Sequence, residues 1–446
     1  MLFKKKNISS LHVPHNKNTA SCAPIQISAP KEVVIPMNMQ SGHDAEPVVA
    51  VGDHVYVGQL IAREEGRNSS PTHASVSGTV KEIAPIKLAG GKEVVAITIE
   101  NDGKMEVDPE MKAPTVTNLD EFLDAVRASG VVGLGGAAFP VWAKLDAVRR
   151  NEIETILVNG AECEPYITSD HRMMVDYSDL VAKGVKLMQE HMNVPKIVIA
   201  IENNKQDAID KLNDIFKNDP GVEIYPLETV YPQGAKQVLL YNVTGKVVKG
   251  GQRMAALGVL IINVSSVAKL AQYIETGMPL VDRIVTVDGT AVKEPKNLLV
   301  PIGTPISHLL NEVEMKSEPG KILIGGPMLG HAIVELDNPV IKATNAILAF
   351  EEKDSVELEP TDCIRCGRCM ANCPVGLNIV GIARAMNKKD EDERAAALTK
   401  LGLKQCIECA CCSYVCPAQR PVLSKNLEAK RFLKAYNAAK KEEGGK

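Results

Sequence analysis

Apolar and polar residues alternate in short runs between Ala45 and about residue 100. The runs include Pro47–Asp53 and Val94–Ile99, and glycines separate them. Alternation with a period of two is typical of strands that bury one face, and glycine marks the turns between such strands. The pattern therefore predicts a small all-β unit, placed in an N-terminal domain of residues 1–110.

Helical spacing begins after a proline-rich linker at residues 107–117. Asn118 stands where a helix cap is expected, with Glu121 at the capping-box offset and apolar residues recurring every three to four positions after it. Strands and helices then alternate, which predicts a mostly parallel sheet with helices on both faces in a domain of residues 118–275. The predicted strands are 155–159, 196–201, 222–227 and 257–264, and the predicted helices are 178–192, 205–216, 233–241 and 267–275.

Asp288-Gly289 is the next clear signal, because an Asp-Gly pair between apolar runs favours a tight hairpin. The sequence predicts a strand from Asp282, a turn at this pair and a second strand ending at Val292. With a helix near 306–310 and a returning strand and turn at 321–328, these elements form a predicted domain of residues 276–350. The last domain, residues 355–446, is predicted to contain helices at 378–386, 392–401 and 423–439.

The chain has 446 residues, of which 45% are hydrophobic, and this length is enough for roughly three globular domains. A formal net charge of −4 argues against nucleic acid as the main partner. The longest apolar candidate, Ala255–Ala268, is interrupted by glycine, asparagine and serine, so no window reaches the ~18 apolar residues of a membrane span. No signal peptide is recognisable, and we expect a soluble or peripheral protein.

Both ends of the chain are basic. The first 20 residues include Lys4, Lys5, Lys6 and Lys17 and no acid, and the tail from Pro421 has seven Lys and Arg against three Glu. Such ends bind anionic lipid or an acidic partner subunit in some proteins and are merely solvated in others. The sequence leaves these alternatives open.

Eight of the eleven cysteines form two copies of one spacing, each followed by proline. This is the bacterial ferredoxin pattern, in which two-residue gaps turn three thiolates toward one iron–sulfur cube. Zinc and disulfides are the alternatives. Zinc sites often include histidine, and no histidine follows Cys363. Disulfides require an oxidising compartment, whereas we expect a reducing cytoplasm. The copies are Cys363-x₂-Cys366-x₂-Cys369-x₃-Cys373 and Cys406-x₂-Cys409-x₂-Cys412-x₃-Cys416.

In two-cluster ferredoxin folds, the cysteine before proline crosses to the other cluster. Cys411 breaks the symmetry between the copies, and we interpret it as a spectator because its use would leave Cys412 without a role. The pattern thus assigns one [4Fe–4S] cluster to Cys363, Cys366, Cys369 and Cys416, and the other to Cys406, Cys409, Cys412 and Cys373.

A glycine cluster at Gly133, Gly135 and Gly136 precedes a predicted helix that carries Lys144. Glycines let the backbone approach a phosphate, and helix amides supply partial positive charge, although many glycine clusters only form a tight turn. The strand that follows ends on Asn159-Gly-Ala-Glu-Cys-Glu164. Polar groups at the carboxyl end of a strand are where ligands of open α/β sheets bind.

These residues carry a resemblance. The runs GLGGAAFPxxxK and NGAECEP are similar to the flavin-binding core of the flavoprotein subunit of respiratory complex I, with GRGGAGFPxGxKW and NADESEPG. This chain lacks the first Arg and the Asp before Glu162. The VxxGDxVxxGQ and SGTVxEI runs resemble the sandwiched barrel of biotinyl and lipoyl carrier domains, but Arg63–Thr79 contains no lysine to carry a swinging arm.

Joined to two ferredoxin motifs, these features resemble the C subunits of Rnf complexes, the ion-translocating ferredoxin:NAD⁺ oxidoreductases, over nearly the whole chain. Tyr231–Ala235 and Asn263-Val264 also look like that family's flavin and nucleotide surroundings, whereas its N-terminal Gly-Gly-x-His-Pro run is only partly matched by Ser9–Pro14. The resemblance implies a multidomain α/β plus α+β protein. Its domains would be a carrier-like β domain, a Rossmann-like FMN/NADH domain, a β-grasp domain and a helical two-cluster ferredoxin-like domain.

The resemblance also implies noncovalent FMN. Phe139 and Glu164 would meet the incoming NADH. The alternative for Phe139 is core packing, and the alternative for Glu162 and Glu164 is a position in a solvated loop. We expect no classical acid–base residue. The other implied contacts are Gly133, Gly135, Gly136 and Lys144 to the phosphate, Asn159 and Glu162 to the isoalloxazine edge, and Asn263 to the ring or ribityl side.

The implied function is hydride exchange between NAD(H) and FMN, followed by passage of single electrons through both clusters to or from subunits of a membrane-bound complex. Ferredoxin would then be an indirect partner, and the chain would sit peripherally on the cytoplasmic face of the membrane. A soluble cobalamin reductase and a flavin-free electron-wire subunit are the alternatives. Neither the direction of electron flow nor the pumped ion, Na⁺ or H⁺, follows from this sequence.

Overall fold

The structure is a computed structural model that describes residues 8–66, 68–249 and 252–444. The basic residues Lys4, Lys5 and Lys6 lie outside the described residues. The chain divides into two compact units, which we call the sheet unit and the cysteine unit. The sheet unit comprises His15–Leu227 and Met254–Ser355, and the cysteine unit comprises Met1–Pro14, Glu228–Arg253 and Val356–Lys446.

All strands assigned in the described residues belong to the sheet unit. They are β1 (Ile25–Gln26), β2 (Glu32–Pro36), β3 (Glu46–Pro47), β4 (His54–Val55), β5 (Leu60–Arg63), β6 (Thr72–His73), β7 (Gly78–Lys87), β8 (Glu93–Asn101), β9 (Thr155–Gly160), β10 (Lys196–Glu202), β11 (Val222–Leu227), β12 (Val259–Asn263), β13 (Asp282–Asp288), β14 (Lys296–Pro301), β15 (Lys321–Ile324), β16 (His331–Ile333) and β17 (Ala346–Phe350).

The helices are divided between the two units. They are α1 (Leu119–Ala128), α2 (Val141–Leu145), α3 (Ser169–Asp176), α4 (Ser178–Met192), α5 (Gln206–Phe216), α6 (Lys236–Thr244), α7 (Val264–Thr276), α8 (Ile306–Asn311), α9 (Arg368–Ala371), α10 (Ile379–Met386), α11 (Glu391–Lys400), α12 (Cys411–Tyr414) and α13 (Val422–Gly444).

The predicted all-β unit is present as two antiparallel sheets, ordered β2-β8-β7-β4 and β3-β5-β6. In the first part of β8, Val94 and Ala96 are buried and Val95 between them is exposed, as the alternation in the sequence predicts. Further along the strand, Ile97 and Ile99 of the opposite face are buried as well.

The predicted parallel sheet is also present, with strand order β11-β10-β9-β12. Ile156, Leu157 and Val158 of β9 are fully buried, because helices of βαβ units cover both faces of a parallel sheet. The chain moves from β9 through β10 to β11 on one side, whereas β12 pairs with the other side of β9. The strand order thus reverses between β9 and β12, where ligands of open α/β sheets bind beyond the carboxyl ends of the strands.

A mixed six-stranded sheet, ordered β1-β14-β13-β17-β15-β16, completes the sheet unit. The predicted hairpin after Asp288 is wrong in its second strand, because β14 begins at Lys296 rather than ending at Val292. Residues after Gly289 bond elsewhere: the Ala291 amide donates to the Ala349 carbonyl at 3.0 Å, and the Lys293 amide donates to the Glu314 carbonyl at 2.7 Å. These longer-range bonds outweigh the local preference for a two-residue turn.

Helix α1 begins as predicted, since the Asn118 side chain accepts a hydrogen bond from the Glu121 amide. The cysteine unit is helical, and Ile382, Leu398 and Leu433 from α10, α11 and α13 share its core. Within the described residues, we find no helix that combines the length and the apolar character needed to cross a membrane.

Candidate functional site

The glycine loop lies at the point where the strand order of the parallel sheet reverses. A Cβ atom on Gly135 would lie 2.9 Å from Nδ2 of Asn263, the last residue of β12. Gly136 has a φ of 132°, which favours glycine, and nothing lies within 4 Å of where its Cβ would be. The loop thus packs closely against the sheet at one glycine and presents open backbone at the next, as a phosphate-binding loop requires.

Helix α7 anchors this loop. The Leu134 amide donates to Ser266 Oγ at 3.0 Å, and that hydroxyl donates to the Val132 carbonyl at 2.9 Å. Asn263 caps the same helix by accepting a bond from the Ser266 amide. The helix that follows the loop, α2, has only five residues. The sequence pointed to the helix after the loop, whereas the structure shows the loop fastened to the N-terminus of α7.

Glu162 follows the central strand β9 and is only 7% exposed. Its carboxylate accepts bonds from the amides of Asp170 at 2.8 Å and His171 at 3.3 Å, at the start of α3. Favourable charge at a helix N-terminus and buried hydrogen bonds hold this carboxylate in place. The predicted contact of Glu162 with the isoalloxazine edge therefore competes with its role as the anchor of α3.

Further charged groups surround Glu162, at positions that no motif in the sequence marks. Nδ2 of the Asn263 side chain donates to Asp170 Oδ2 at 2.7 Å, and burial together with the Glu162 charge raises the pKa of Asp170. The Glu162 amide donates to Glu202 at the end of β10, and Glu202 forms a buried ion pair with Lys205 at 2.7 Å. The position of Glu202 at the end of β10 was a signal that could have identified it, whereas Asp170 lies in the first turn of α3, where an acidic residue is common and marks no site.

Glu164 lies against the turn after β15. Its Oε2 accepts a bond from the Met328 amide at 3.0 Å, whereas its buried Oε1 has no hydrogen-bond partner. Burial raises the pKa of Glu164 to about 7, with the Met328 amide and Lys17 opposing the rise. The predicted return of residues 321–328 toward this site is thus consistent with the structure.

The remaining predicted flavin residues are placed as follows. Phe139 is half-buried, and its carbonyl accepts a bond from the Gly133 amide at 2.9 Å, which closes the glycine loop. Lys144 in α2 is half-buried, and Asn159 Oδ1 accepts a bond from the Ala161 amide at 3.1 Å. Tyr231 belongs to the cysteine unit, where its hydroxyl donates to the Cys409 carbonyl at 2.9 Å.

The structure brings Cys416 of the second cysteine motif to the first three thiols. Cys363, Cys366, Cys369 and Cys416 line one cavity of about 230 Å³, together with Arg365, Arg384 and Arg420. Four thiols around one space, three from one motif and one from the other, are the donor set that a crossed [4Fe–4S] cluster requires.

The other four thiols also lie together. Burial raises the pKa of Cys412 to about 12, and the charges of Cys409, Cys406 and Cys373 add to this rise. Cys411 is fully buried and lies close enough to Cys409 to lower the pKa of the Cys409 thiol. Among the described residues, no three His, Cys, Asp or Glu side chains are arranged as a site for a single metal ion.

Three family models match consecutive parts of the chain. They are the RnfC barrel sandwich hybrid domain at residues 7–104, the Nuo51 FMN-binding domain at residues 126–272 and the 4Fe-4S dicluster domain at residues 355–423. The glycine loop and the eight thiols fall inside the last two matches. FMN and [4Fe–4S] clusters are therefore the cofactors of this chain.

Two curated relatives match over most of their own length. The C subunit of the Na⁺-translocating ferredoxin:NAD⁺ oxidoreductase complex of Acetobacterium woodii is 38% identical over 379 residues, which cover 84% of this chain and 85% of that protein. The counterpart from the proton-translocating complex of Clostridium ljungdahlii is 38% identical over 373 residues, covering 82% and 81%.

Among solved structures, an NAD⁺-reducing [NiFe]-hydrogenase in the H₂-reduced state matches with a TM-score of 0.48 and 17% identity, over 71% of this chain and 61% of that chain. The sequence relatives and the family models agree with one another over the three domains. The chain belongs to the family of C subunits of the Rnf ion-translocating oxidoreductase complexes.

Proposed function

We propose that the chain is the electron-transfer subunit of a membrane-bound ion-translocating ferredoxin:NAD oxidoreductase. In this role it exchanges hydride between NAD(H) and FMN and passes single electrons through two [4Fe–4S] clusters to or from partner subunits. The observation that carries the proposal is the pairing, on one chain, of a glycine loop at the reversal of strand order with eight thiols in two crossed sets.

When bound, FMN supplies the conversion between the electron pairs of a nicotinamide and the single electrons that iron–sulfur clusters accept. We assign the phosphate to the backbone of Gly133, Gly135 and Gly136 and to the Lys144 ammonium. Asn159 and Asn263 orient the flavin from the ends of β9 and β12. Because α3 amides hold its carboxylate, Glu162 acts mainly by fixing the loop that follows β9.

We assign the nicotinamide nucleotide to Phe139 and Glu164. Glu164 offers a buried oxygen without a hydrogen-bond partner, and a raised pKa makes its carboxyl a donor or an acceptor near neutral pH. A buried polar atom without a partner is costly, so a ligand group that pairs with it gains binding energy.

The first cluster is assigned to Cys363, Cys366, Cys369 and Cys416, and the second to Cys406, Cys409, Cys412 and Cys373. Cys363 and Cys366 are exposed, whereas Cys412 and Cys373 are buried. Burial and nearby hydrogen bonds set how readily a cluster accepts charge. The protein therefore gives the two clusters different potentials through their surroundings rather than through their ligands.

The wider organisation follows from family membership. We propose a carrier-like β domain without a carrier lysine at 1–110, a Rossmann-like FMN/NADH domain at 118–275, a β-grasp domain at 276–350 and a two-cluster domain at 355–446. The first two ranges each include a stretch that belongs to the cysteine unit, namely the described residues up to Pro14 and Glu228–Arg253. We also propose that this subunit itself oxidises or reduces NAD(H), and that it binds peripherally at the cytoplasmic face of the membrane. The names of its relatives favour this function over a cobalamin reductase or a flavin-free wire.

Replacement of Lys144 by alanine tests the flavin site. Loss of a charged hydrogen bond to phosphate should weaken FMN binding about 10- to 100-fold while iron content stays unchanged. Lys186→Ala, at an exposed position of α4, is the matched control. FMN released on denaturation and iron per chain are the two measurements. Equal loss of both from Lys144→Ala would make the lysine purely structural.

The visible spectrum of anaerobically purified protein tests the whole function. We expect flavin bands on a broad iron–sulfur shoulder, about eight irons per chain and bleaching by NADH. A shoulder that NADH leaves unchanged would favour the electron-wire alternative instead.

A further inference from the structure

The side chain of Lys17, from the segment His15–Ala20, lies inside the loop that follows β9. The Lys17 Nζ atom donates to the carbonyls of Glu162 and Glu164 at 2.8 Å each and to that of Ile167 at 2.5 Å. An ammonium has three donors, and each has an acceptor here. All three acceptors belong to the loop between β9 and α3.

The ammonium is withdrawn from water, although part of the Lys17 side chain remains accessible. Burial is the main influence on it and lowers the pKa of Lys17 to about 8, while the Glu162 charge works in the opposite direction. A buried charge is tolerated when it is hydrogen-bonded and faces opposite charge. The three carbonyls and the nearby carboxylates of Glu162 and Glu202 provide that environment.

Neighbouring residues of the segment run alongside the same loop. The Tyr166 amide donates to the His15 carbonyl at 2.9 Å, and the hydroxyls of Thr19 and Thr168 are 2.5 Å apart. Arg172 of α3 donates to the Ala20 carbonyl at 2.9 Å. The segment from His15 to Ala20 is therefore fastened to the loop at several points, with Lys17 at the centre.

We propose that Lys17 is a positioning residue that acts as a built-in monovalent cation, around which the loop folds so that Glu164 is held in place for the nicotinamide nucleotide. The inference rests on the proposed function, since it concerns the same site. Three carbonyls that converge on one cation fix the backbone on either side of Glu164. The ammonium also opposes the rise in the pKa of Glu164 that burial causes.

The test uses Lys17→Ala in the full chain loaded with FMN and clusters. We expect the KM for NADH, measured with ferricyanide as acceptor, to rise about 10- to 100-fold, with a smaller change in kcat. Ethylammonium at tens of millimolar should restore part of the affinity, because it can occupy the space that the lysine leaves. Tetramethylammonium has no N–H donors and should not.

Two further variants separate the charge of Lys17 from its volume and from general stability. Lys17→Met retains most of the volume without the charge, so it should lose affinity and gain nothing from ethylammonium. Lys296→Ala removes a half-buried lysine that donates to one carbonyl, that of Glu312, elsewhere in the sheet unit. It should lower the melting temperature without changing the KM for NADH.

The outcomes separate the two proposals. If the wild-type protein binds no FMN or is not reduced by NADH, the proposed function fails. If the wild type does both and Lys17→Ala has a normal KM, or a raised KM that ethylammonium leaves unchanged, the role of Lys17 as a built-in cation is wrong.

Discussion

The two cysteine motifs have the same backbone and different surroundings. In both motifs the third and fifth residues have left-handed φ values: 57° at Arg365 and 75° at Gly367 in the first, and 60° at both Glu408 and Ala410 in the second. A four-residue helix follows in each, α9 in the first motif and α12 in the second. The ligand spacing thus fixes the path of the chain, and other residues make the two sites unequal.

The two motifs differ in how exposed their charged side chains are and in which side chains hold the loop between the cysteines. Arg365 and Arg368 of the first motif are exposed, so solvent and salt screen their charges. In the second motif, Lys430 of α13 donates to the Cys406 carbonyl at 2.7 Å and pairs with Glu408, while Tyr231 donates to the Cys409 carbonyl. We therefore expect exposed, screened charges beside the first cluster and a hydrogen-bonded, partly buried ammonium beside the second.

Cys373→Ala should have the largest effect. Although Cys373 lies in the first motif, its removal should abolish the second cluster and leave about four irons per chain, because its thiol belongs to the other set. Iron analysis and the EPR signals of the dithionite-reduced protein measure this. Cys411→Ala, at a buried cysteine of the second motif, is the control and should keep about eight irons. Loss of the first cluster's signal in Cys373→Ala would refute the crossed assignment.

Lys430→Met should have an intermediate effect. Removal of an ammonium beside the second cluster disfavours the added electron and leaves Glu408 unpaired. The reduction potential of the second cluster should therefore fall by about 60 mV, equivalent to about 1.4 kcal/mol for one electron. An EPR-monitored redox titration measures the shift. Lys434→Met, one turn further along α13 and exposed, should leave both potentials unchanged. An equal shift of both clusters would mean that the lysine acts on the fold rather than on one site.

Arg365→Gln should have the smallest effect. Its side chain is exposed, so the potential of the first cluster should fall by less than about 30 mV at low salt, and by less still at about 0.5 M salt. The same titration at two ionic strengths measures this. A shift as large as that of Lys430→Met and insensitive to salt would show that the first cluster is no more screened than the second.

Local patterns predicted the elements that local interactions determine. The strands of the parallel sheet and the cap at Asn118 depend on residues a few positions apart, and the structure contains them. The second strand after Asp288 was misplaced because Ala291 bonds to Ala349, far along the chain. The turn preference of a two-residue pair carries no information about a hydrogen-bond partner so far along the chain.

In the candidate site too, local patterns identified contiguous features but not contacts between distant residues. The glycine loop and the acidic strand end were recognisable because their chemistry lies in contiguous residues. Lys17 was not, since its acceptors lie 145 to 150 residues further along the chain. Nor could the sequence indicate that α3 amides engage the Glu162 carboxylate, because that depends on how the intervening loop turns back.

The cysteine unit is assembled from stretches made at very different times during translation. The amide and carbonyl of Leu11 pair with those of Tyr231, and the Tyr231 hydroxyl reaches the Cys409 carbonyl, so early, middle and late parts of the chain meet. Each set of four thiols also combines cysteines of both motifs, so neither set is whole until the second motif has been made. We therefore expect nascent chains arrested before residue 406 to acquire no cluster.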